Sequence, residues 1–186
     1  MRKTILGFLL ATLPVASMAA SYQLDPTHTY PNFTINHLGF STMNGTFLET
    51  AGSFEMDQDK GTGSVQVTIK ADSIFTGFKK RDDHLRSPDF FNVGEFPEIT
   101  FKSTSVKFSG KDKATVNGKL TIMGVTKDVT LDVDAIHCGP HPFNKKETCG
   151  FNATTSVMRS DFGIKYGVPA IGDHVSIRLE AEGVLQ

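Results

Sequence analysis

The chain has 186 residues, 15 of them Phe and none Trp, and its formal net charge is −1, from 19 Lys and Arg against 20 Asp and Glu. This length and apolar content suit one domain with a sizeable core. The charges are nearly balanced and form no basic stripe that could follow a phosphate backbone, which argues against a nucleic-acid partner. No linker, repeat or low-complexity tract divides the chain, so a single domain is predicted.

The first 19 residues have the pattern of a secretory signal peptide. Arg2 and Lys3 precede an apolar run from Ile5 to Ala16, and small residues follow. The run is shorter than the roughly 20 residues that a membrane-spanning helix needs. We therefore predict export with cleavage after Ala19, which would leave a mature domain of residues 20–186 and no stable membrane insertion.

Alternation of apolar and polar residues predicts β-strands through most of this mature domain. The clearest runs are SVQVTIKA at 64–71, KDVTLDVDA at 127–135 and HVSIRLEAEGV at 174–184. Weaker runs are YPNFTINHL, GTFLETAGSFEM, ITFKSTSVKF, TVNGKLTIM and FNATTSV, the second of them split at Gly52. Eight or nine short strands joined by tight turns predict an antiparallel sheet that closes into a barrel or folds into a sandwich.

The alternation stops at residues 72–97, DSIFTGFKKRDDHLRSPDFFNVGEFP. A short helix is predicted at about Arg81 to Ser87, because the following Pro88 would end it. Long structured connections often serve as lids or binding loops. The middle connection is therefore the first place to seek a functional site.

Three interpretations of RDDHLRS, residues 81–87, stay open. Asp82 or Asp83 could orient His84 as a general base, although no GxSxG nucleophile motif accompanies them. Salt bridges and helix caps could instead pin the connection over one end of the sheet. In the third interpretation, Arg81 and Arg86 donate to a diphosphate or another polar head group.

Cys138 and Cys149 lie with His137 and His141 in the segment HCGPHPFNKKETCGF. A mixed set of Cys and His ligands would suit zinc. Two cysteines of an exported protein usually pair, however, and these two flank a loop between predicted strands. A disulfide between them is therefore favoured over a metal site, and no metal is predicted elsewhere in the chain.

Four motifs occur in order along the chain: YQLDPTHTYPNFTINHLGF, RDDHLRSPDFFNVGEFPEITFKSTSV, VNGKLTIMGVTKDVTLDV and FNATTSVMRSDFGIKYG. Together they resemble the YceI-like family of exported bacterial polyisoprenoid-binding proteins, and the likeness runs from Tyr22 to Gln186. The resemblance implies an all-β fold, an eight-stranded antiparallel lipocalin-like barrel with the short helix in the middle connection. It also implies an elongated apolar interior that binds an isoprenoid-type lipid, such as a polyprenyl phosphate or a quinone-like lipid.

From this resemblance we predict a periplasmic carrier that holds such a lipid without catalysis and without a cofactor; a homodimer is left open. One alternative is an enzyme that acts on an isoprenoid lipid through the cluster at residues 81–84. Another is an interaction module whose barrel is filled by its own side chains.

The residues expected to contact the lipid lie along the barrel and at its mouth: Phe33, His37, Phe40, Phe47, Phe75, Arg81, His84, Leu85, Arg86, Phe90, Phe91, Phe101 and Phe162. Two features of this set stay open. A β-bulge would turn Phe47 or Phe101 to the outer face, and Phe162 either closes the interior or belongs to the ordinary core.

Overall fold

Eleven β-strands, one α-helix and two 3-10 helices form the described part of the chain, residues 19–186, in a computed structural model. In chain order they are β1 Ala20–Leu24, β2 Tyr30–His37, β3 Ser41–Phe47, β4 Thr50–Asp57, β5 Thr62–Lys70, a 3-10 helix Ala71–Ser73, β6 Ile74–Phe75, α1 Lys79–Arg86, β7 Glu98–Phe108, β8 Ala114–Ile122, β9 Val125–Pro140, β10 Glu147–Met158, a 3-10 helix Arg159–Phe162 and β11 Ile171–Leu185. Residues 1–18 of the predicted signal peptide lie outside the described residues. None of the helices in residues 19–186 is long and apolar enough to cross a membrane.

Eight antiparallel strands close into a barrel. The order around the ring is β1, β4, β5, β7, β8, β9, β10 and β11, and pairing of β1 with β11 closes it. The long strand β11 also pairs with β2, which in turn pairs with β3, and β3 pairs with β6. The predicted eight-stranded antiparallel barrel is confirmed, and so is the short helix in the middle connection, which begins two residues earlier than predicted.

Two strand positions of the barrel are interrupted. β1 and β2 lie one after the other along β11, and β3 and β4 are separated at Leu48 and Glu49. The split predicted at Gly52 is therefore wrong, since Gly52 lies inside β4. A Cβ atom at Gly52 would fall against the backbone oxygen of Gln66 on β5. Glycine is required there because two backbones approach closely, not because the chain turns.

A β-bulge explains why the alternation fails in ITFKSTSVKF. The pairing of β7 with β8 shifts at Thr104. Ile99 and Phe101 before the shift and Val106 and Phe108 after it therefore all pack in the same core, although they differ in phase. The bulge thus leaves Phe101 facing inward, with only 7% of its surface exposed.

The two ends of the barrel carry different elements. One end, called here the helical end, carries α1 and the second 3-10 helix. Antiparallel pairing brings four connections to it: the β2–β3 turn, the β8–β9 turn, the middle connection at 76–97 and the segment 159–170. The opposite end carries the β4–β5, β7–β8 and β9–β10 connections.

The predicted disulfide between Cys138 and Cys149 is confirmed at the opposite end. The two residues are direct partners in the pairing of β9 with β10, and their Cα atoms are 4.1 Å apart. Cys149 is fully buried in a small cluster with Tyr22 and Phe54, whose rings stack with centroids 4.9 Å apart. A bonded pair of sulfurs supplies no thiolates, so the alternative zinc set lacks two of its ligands.

Replacing Gly52 with Ala should lower the free energy of unfolding by about 1–3 kcal/mol, because the added methyl group would push β4 away from β5. Chemical denaturation of the purified variant measures this loss. Gly139→Ala on β9 is the matched control: nothing lies within 4 Å of its Cβ position, so a change within about 0.5 kcal/mol is expected. Equal losses in the two variants would contradict the close approach at Gly52.

Candidate ligand-binding cavity

An apolar cavity of about 560 Å³ occupies the interior of the barrel. The alternation that predicted the strands forms its wall: Val65, Val67 and Ile69 of β5 face the cavity, whereas Gln66 between them is exposed. On β11 the lining extends from Ile171 to Ala181, a path of roughly 30 Å at about 3.3 Å per residue. A compact pocket of this volume would be much shorter, so the cavity is an elongated channel.

Ten of the thirteen residues predicted from the sequence line the channel: Phe33, His37, Phe47, Arg81, His84, Leu85, Phe90, Phe91, Phe101 and Phe162. Phe47 and Phe162 are both buried, so Phe162 belongs to the core and also lines the channel. Contact of these residues with a ligand stays a prediction, because lining a cavity does not show binding.

The other three predicted residues are not part of the lining. Phe40 is 89% exposed, because the turn between β2 and β3 carries it past the strand ends. Phe75 is half-exposed, because its neighbour Ile74 takes the inward face of β6. Arg86 donates from Nε and Nη2 to backbone oxygens before α1. The cavity therefore gives no support to ligand contacts at these positions.

The sequence prediction missed several residues of the lining. Leu131 and Ile177 face the channel, and the alternation of β9 and β11 already marked them as inward, but the prediction favoured phenylalanine. Lys80, Arg159 and Tyr166 also line it, and no sequence pattern identified them. Their placement depends on how two connections fold over the helical end.

Asp82 fixes the start of α1 from a buried position. Its Oδ1 accepts a hydrogen bond from the backbone N–H of Thr76 at 2.9 Å and another from the Thr76 hydroxyl. Arg81 donates from Nε to the same hydroxyl oxygen at 2.7 Å and from Nη2 to the Thr76 carbonyl oxygen at 2.6 Å. Thr76 therefore ties both side chains to the strand that precedes the helix.

Arg86 fixes the end of α1. Its Nε donates to the carbonyl oxygen of Asp72 at 2.6 Å and its Nη2 to that of Ile74 at 2.8 Å. Asp83 lies between Lys79, at 2.7 Å, and Arg86, at 3.3 Å. The hydrogen bond from Lys79 is the main reason why the pKa of Asp83 lies below its usual value. The contacts of Arg81, Asp82, Asp83 and Arg86, called the clamp below, match the interpretation that RDDHLRS pins the connection. Its helix-cap part is not seen, because no side-chain hydrogen bond caps the start of α1.

His84 pairs with Asp89, with 3.0 Å between Nε2 and Oδ2. Asp82 and Asp83 are engaged with Thr76, Lys79 and Arg86 instead. The dyad on which the enzyme alternative was based, His84 with Asp82 or Asp83, is therefore not what the structure contains. Within residues 19–186, no three His, Cys, Asp or Glu residues form a cluster suited to a metal ion.

Arg159 organises the second connection over the helical end. This residue is 6% exposed, and burial lowers the pKa of its guanidinium group. Its nitrogens donate to four carbonyl oxygens, those of Gly172 at 2.8 Å, Ile164 at 3.2 Å, Tyr166 at 2.9 Å and Ile171 at 3.1 Å. The ring of Tyr166 meets the ring of His84 edge-on, with centroids 5.0 Å apart. The two connections therefore meet above the same end of the channel.

The channel opens at this helical end. Its exposed lining residues include Phe78, Lys80, His84 and Tyr166, which all belong to the two connections. Within residues 19–186, the side chains of Lys80 and His37 make no hydrogen bond or ion pair. The mouth thus combines aromatic rings with nitrogen groups that are free to meet a polar head group.

The turn between β1 and β2 carries a second His–Asp pair. Asp25 accepts hydrogen bonds from the backbone and hydroxyl of Thr27 and pairs with Nδ1 of His28 at 2.9 Å. The pKa of Asp25 is lowered to about 2, mainly by the hydrogen bond from the Thr27 side chain and next by the hydrogen bond from His28. The hydrogen bond to Asp25, followed by the charge of Glu182, raises the pKa of His28. This turn leads directly into the buried Thr29, which lines the channel.

A closed eight-stranded antiparallel barrel around an elongated apolar channel places the protein in the class of lipocalin-like barrels. The sequence comparisons agree with this class and narrow it. The model of the YceI-like domain matches residues 22–183, and protein YceI of Salmonella arizonae is 40% identical over 192 residues, with 100% of both chains covered. The chain therefore belongs to the YceI-like family.

Two solved structures share the fold. Burkholderia cenocepacia BcnA has a TM-score of 0.75 at 24% identity, with 86% of this chain and 98% of BcnA covered. A polyisoprenoid binding domain from Saccharophagus degradans has a TM-score of 0.64 at 16% identity, with 89% of this chain and 98% of that domain covered. At these identities the likeness shows the fold.

Replacing Asp82 with Ala should lower the free energy of unfolding by about 1–3 kcal/mol, because the partly buried backbone N–H and hydroxyl of Thr76 would lose their acceptor. Asp83→Ala is the matched control on the same helix. Its carboxylate is half-exposed, so a loss below about 1 kcal/mol is expected. Denaturant unfolding of both variants measures the two losses. Equal losses would show that the buried contacts of Asp82 contribute no more to the free energy of unfolding than the exposed contacts of Asp83.

His28 should titrate above its ordinary value of 6.5, and Asp25→Asn should move its pKa back toward that value. NMR of the imidazole protons measures both, and Asp112→Asn in the β7–β8 turn controls for the lost charge. Since folding raises the pKa of His28, its contribution to stability is present at low pH and is lost as pH rises through that pKa. For Asp25 the sign is opposite, and its contribution is lost as pH falls toward about 2. An unchanged His28 pKa in Asp25→Asn would contradict the assigned cause.

Proposed function

We propose that the protein is a periplasmic carrier that holds one long isoprenoid-type lipid, such as a polyprenyl phosphate or a quinone-like lipid, without catalysis. In this proposal residues 1–19 are removed on export and residues 20–186 form the mature lipid-binding domain. The observation that carries it is the elongated apolar channel of about 560 Å³ inside a closed barrel. Membership of the YceI-like family and the likeness in fold to a polyisoprenoid binding domain support it.

The shape and chemistry of the channel favour a flexible chain. Burial of each CH2 group contributes about 0.8 kcal/mol, so a dozen such groups supply about 10 kcal/mol before the costs of ordering are subtracted. No charged contact is needed for that affinity. A channel wall of aliphatic and phenyl groups also fits methyl-branched isoprene units, which need contact area rather than hydrogen bonds.

The mouth favours a polar or anionic head group. The unpaired Lys80 and His37 lie at the channel lining together with Arg81. Arg81 is already engaged with Thr76, so its contribution is mainly its positive charge, whereas Lys80 can donate directly. A phosphate or quinone oxygen at the mouth would leave the apolar chain inside the barrel. Arg86 donates to the carbonyl oxygens of Asp72 and Ile74, so its predicted contact with a head group has no support from the lining of the channel.

The geometry gives no matching support to catalysis. Asp82 and Asp83 are engaged with Thr76, Lys79 and Arg86. His84 lines the mouth of the channel, but its partner is the exposed Asp89 rather than either acid of the predicted dyad. A general base needs to reach a substrate proton and to be oriented for it. Most strands of the fold contribute side chains to the apolar channel, and such a channel suits the binding of an apolar ligand.

Native mass spectrometry of the protein purified after export should show an adduct with the mass of an isoprenoid lipid. If the purified protein carries none, it should acquire one on incubation with prenyl phosphates. Val67→Trp, which places an indole in the channel, should abolish the adduct. Gln66→Trp is the matched control, because the adjacent side chain points outward, and it should keep the adduct. The natural chain contains no Trp, so fluorescence reports the environment of each new indole.

Two outcomes would overturn the proposal. One is the absence of any adduct, both as purified and after incubation. The other is equal retention of lipid in the Val67 and Gln66 variants, with the Val67 indole fluorescing as a buried group. That result would place the lipid outside the channel.

A further inference from the structure

Three segments surround the mouth of the channel and are named here the rim. They are residues 37–42 at the turn between β2 and β3, residues 76–81 before and in the first turn of α1, and residues 163–170. The first and third segments are direct neighbours, since the backbone N–H of Leu38 donates to the oxygen of Ala170 at 3.1 Å. Phe78 and Tyr166 of the rim also line the channel. Whatever contacts the rim therefore faces the opening.

The rim exposes four large apolar side chains. Phe40 is 89% exposed, Phe78 56%, Tyr166 49% and Leu38 48%. Exposed apolar groups scattered singly need no explanation, but four at one opening form a patch that marks an interaction site. Tyr166 packs against the rings of His84 and Phe90, and the Arg81 guanidinium lies over the Phe78 ring, whereas the ring of Phe40 has no such contact within residues 19–186.

The turn that carries Phe40 goes against local preference. Leu38 has a φ of 56° and Gly39 a φ of 75°, so both residues adopt the left-handed conformation. Tight turns of this kind favour Asn, Asp or Gly, and a leucine there costs stability. A leucine and a phenylalanine at an exposed turn are therefore not explained by the folding of the turn. Such local conflicts are expected at functional sites.

The charge of the rim has one sign. Its three segments contain Lys79, Lys80, Arg81 and Lys165 and neither Asp nor Glu, although the whole chain has more acids than bases. The acids next to these segments are Asp82, which is buried, Asp83, which pairs with Lys79, and the exposed Asp161. Aromatic and aliphatic groups ringed by Lys and Arg are the combination by which proteins bind the surface of anionic membranes. A second copy of this chain would instead bring like charges together.

We infer that the rim is a docking surface for an anionic lipid bilayer, against which the channel opens to exchange its lipid. The inference rests on the proposed function, because it takes the channel to hold a lipid. An apolar chain that passes from bilayer to channel at such a contact avoids the unfavourable exposure of its whole length to water. Phe40 and Phe78 would enter the head-group region, while the cations meet lipid phosphates.

Flotation with vesicles tests the inference. The protein purified after export should float with vesicles of phosphatidylglycerol and phosphatidylethanolamine, and binding should fall with vesicles of phosphatidylcholine alone or at high salt. Phe40→Ser should weaken binding to the anionic vesicles by about tenfold. Lys80→Gln should weaken it by several-fold.

The opposite end of the barrel offers matched controls. Phe143 in the β9–β10 loop is also 89% exposed and lies close in sequence to Lys145 and Lys146. Phe143→Ser and Lys146→Gln should bind vesicles as the unchanged protein does. If they weaken binding as much as the rim variants, the attraction is generic and the inference is wrong. It is also wrong if the unchanged protein fails to float with anionic vesicles.

A separate measurement distinguishes failure of docking from failure of the proposed carrier function. Native mass spectrometry after incubation with prenyl phosphates in solution should show the lipid adduct undiminished in Phe40→Ser, because Phe40 does not line the channel and loading from solution needs no bilayer contact. Loss of the adduct would make Phe40 a ligand contact and overturn its role in docking. Sedimentation velocity of the unchanged protein and of Phe40→Ser should give the same oligomeric state. If the unchanged protein self-associates and Phe40→Ser does not, the rim binds a second copy of the chain and the inference is wrong.

Discussion

The pairing of β11 with three other strands is the interaction on which the rest of the structure depends. Along one edge β11 pairs with β10 over its length, and along the other it pairs first with β2 and then with β1. The last of these pairings closes the ring. Closure satisfies backbone groups that an open sheet would expose at its edges, and it encloses the inward side chains of eight strands. Without it the apolar face would be a surface rather than a channel.

A channel leaves less packing in the centre of the barrel, so the helical end is stabilised by buried polar contacts. Asp82 and Arg159 are both buried, and both have hydrogen-bond partners nearby: Thr76 for Asp82, and for Arg159 four carbonyl oxygens of the connection after β10 and the start of β11. A buried charge without such partners would be costly. Each side chain therefore fixes the path of one connection, and the two connections define the mouth between them.

The sequence predicted the wall of the channel well and its mouth poorly, for a physical reason. A strand places alternate residues on opposite faces, so Val67 and Ile177 could be assigned inward from their neighbours alone. Phe101 was ambiguous, because the alternation changes phase within ITFKSTSVKF but does not show at which residue the bulge lies. Asp82 and Arg159 belong to irregular segments, where burial depends on tertiary contacts that no period reveals. The clamp in RDDHLRS could be suggested, but its partners could not.

Phenylalanine shows how position along the fold, rather than residue type, decides the role of a side chain. Phe54 stacks on Tyr22 beside the disulfide at the opposite end, and Phe101 forms part of the channel wall. Phe40 has the same side chain but lies in the turn between β2 and β3, where it is 89% exposed. Burial of Phe54 and Phe101 stabilises the barrel, whereas exposure of Phe40 is unfavourable in water. A stabilising role in the folded monomer therefore cannot account for Phe40, and its position beside the mouth connects it to whatever the channel faces.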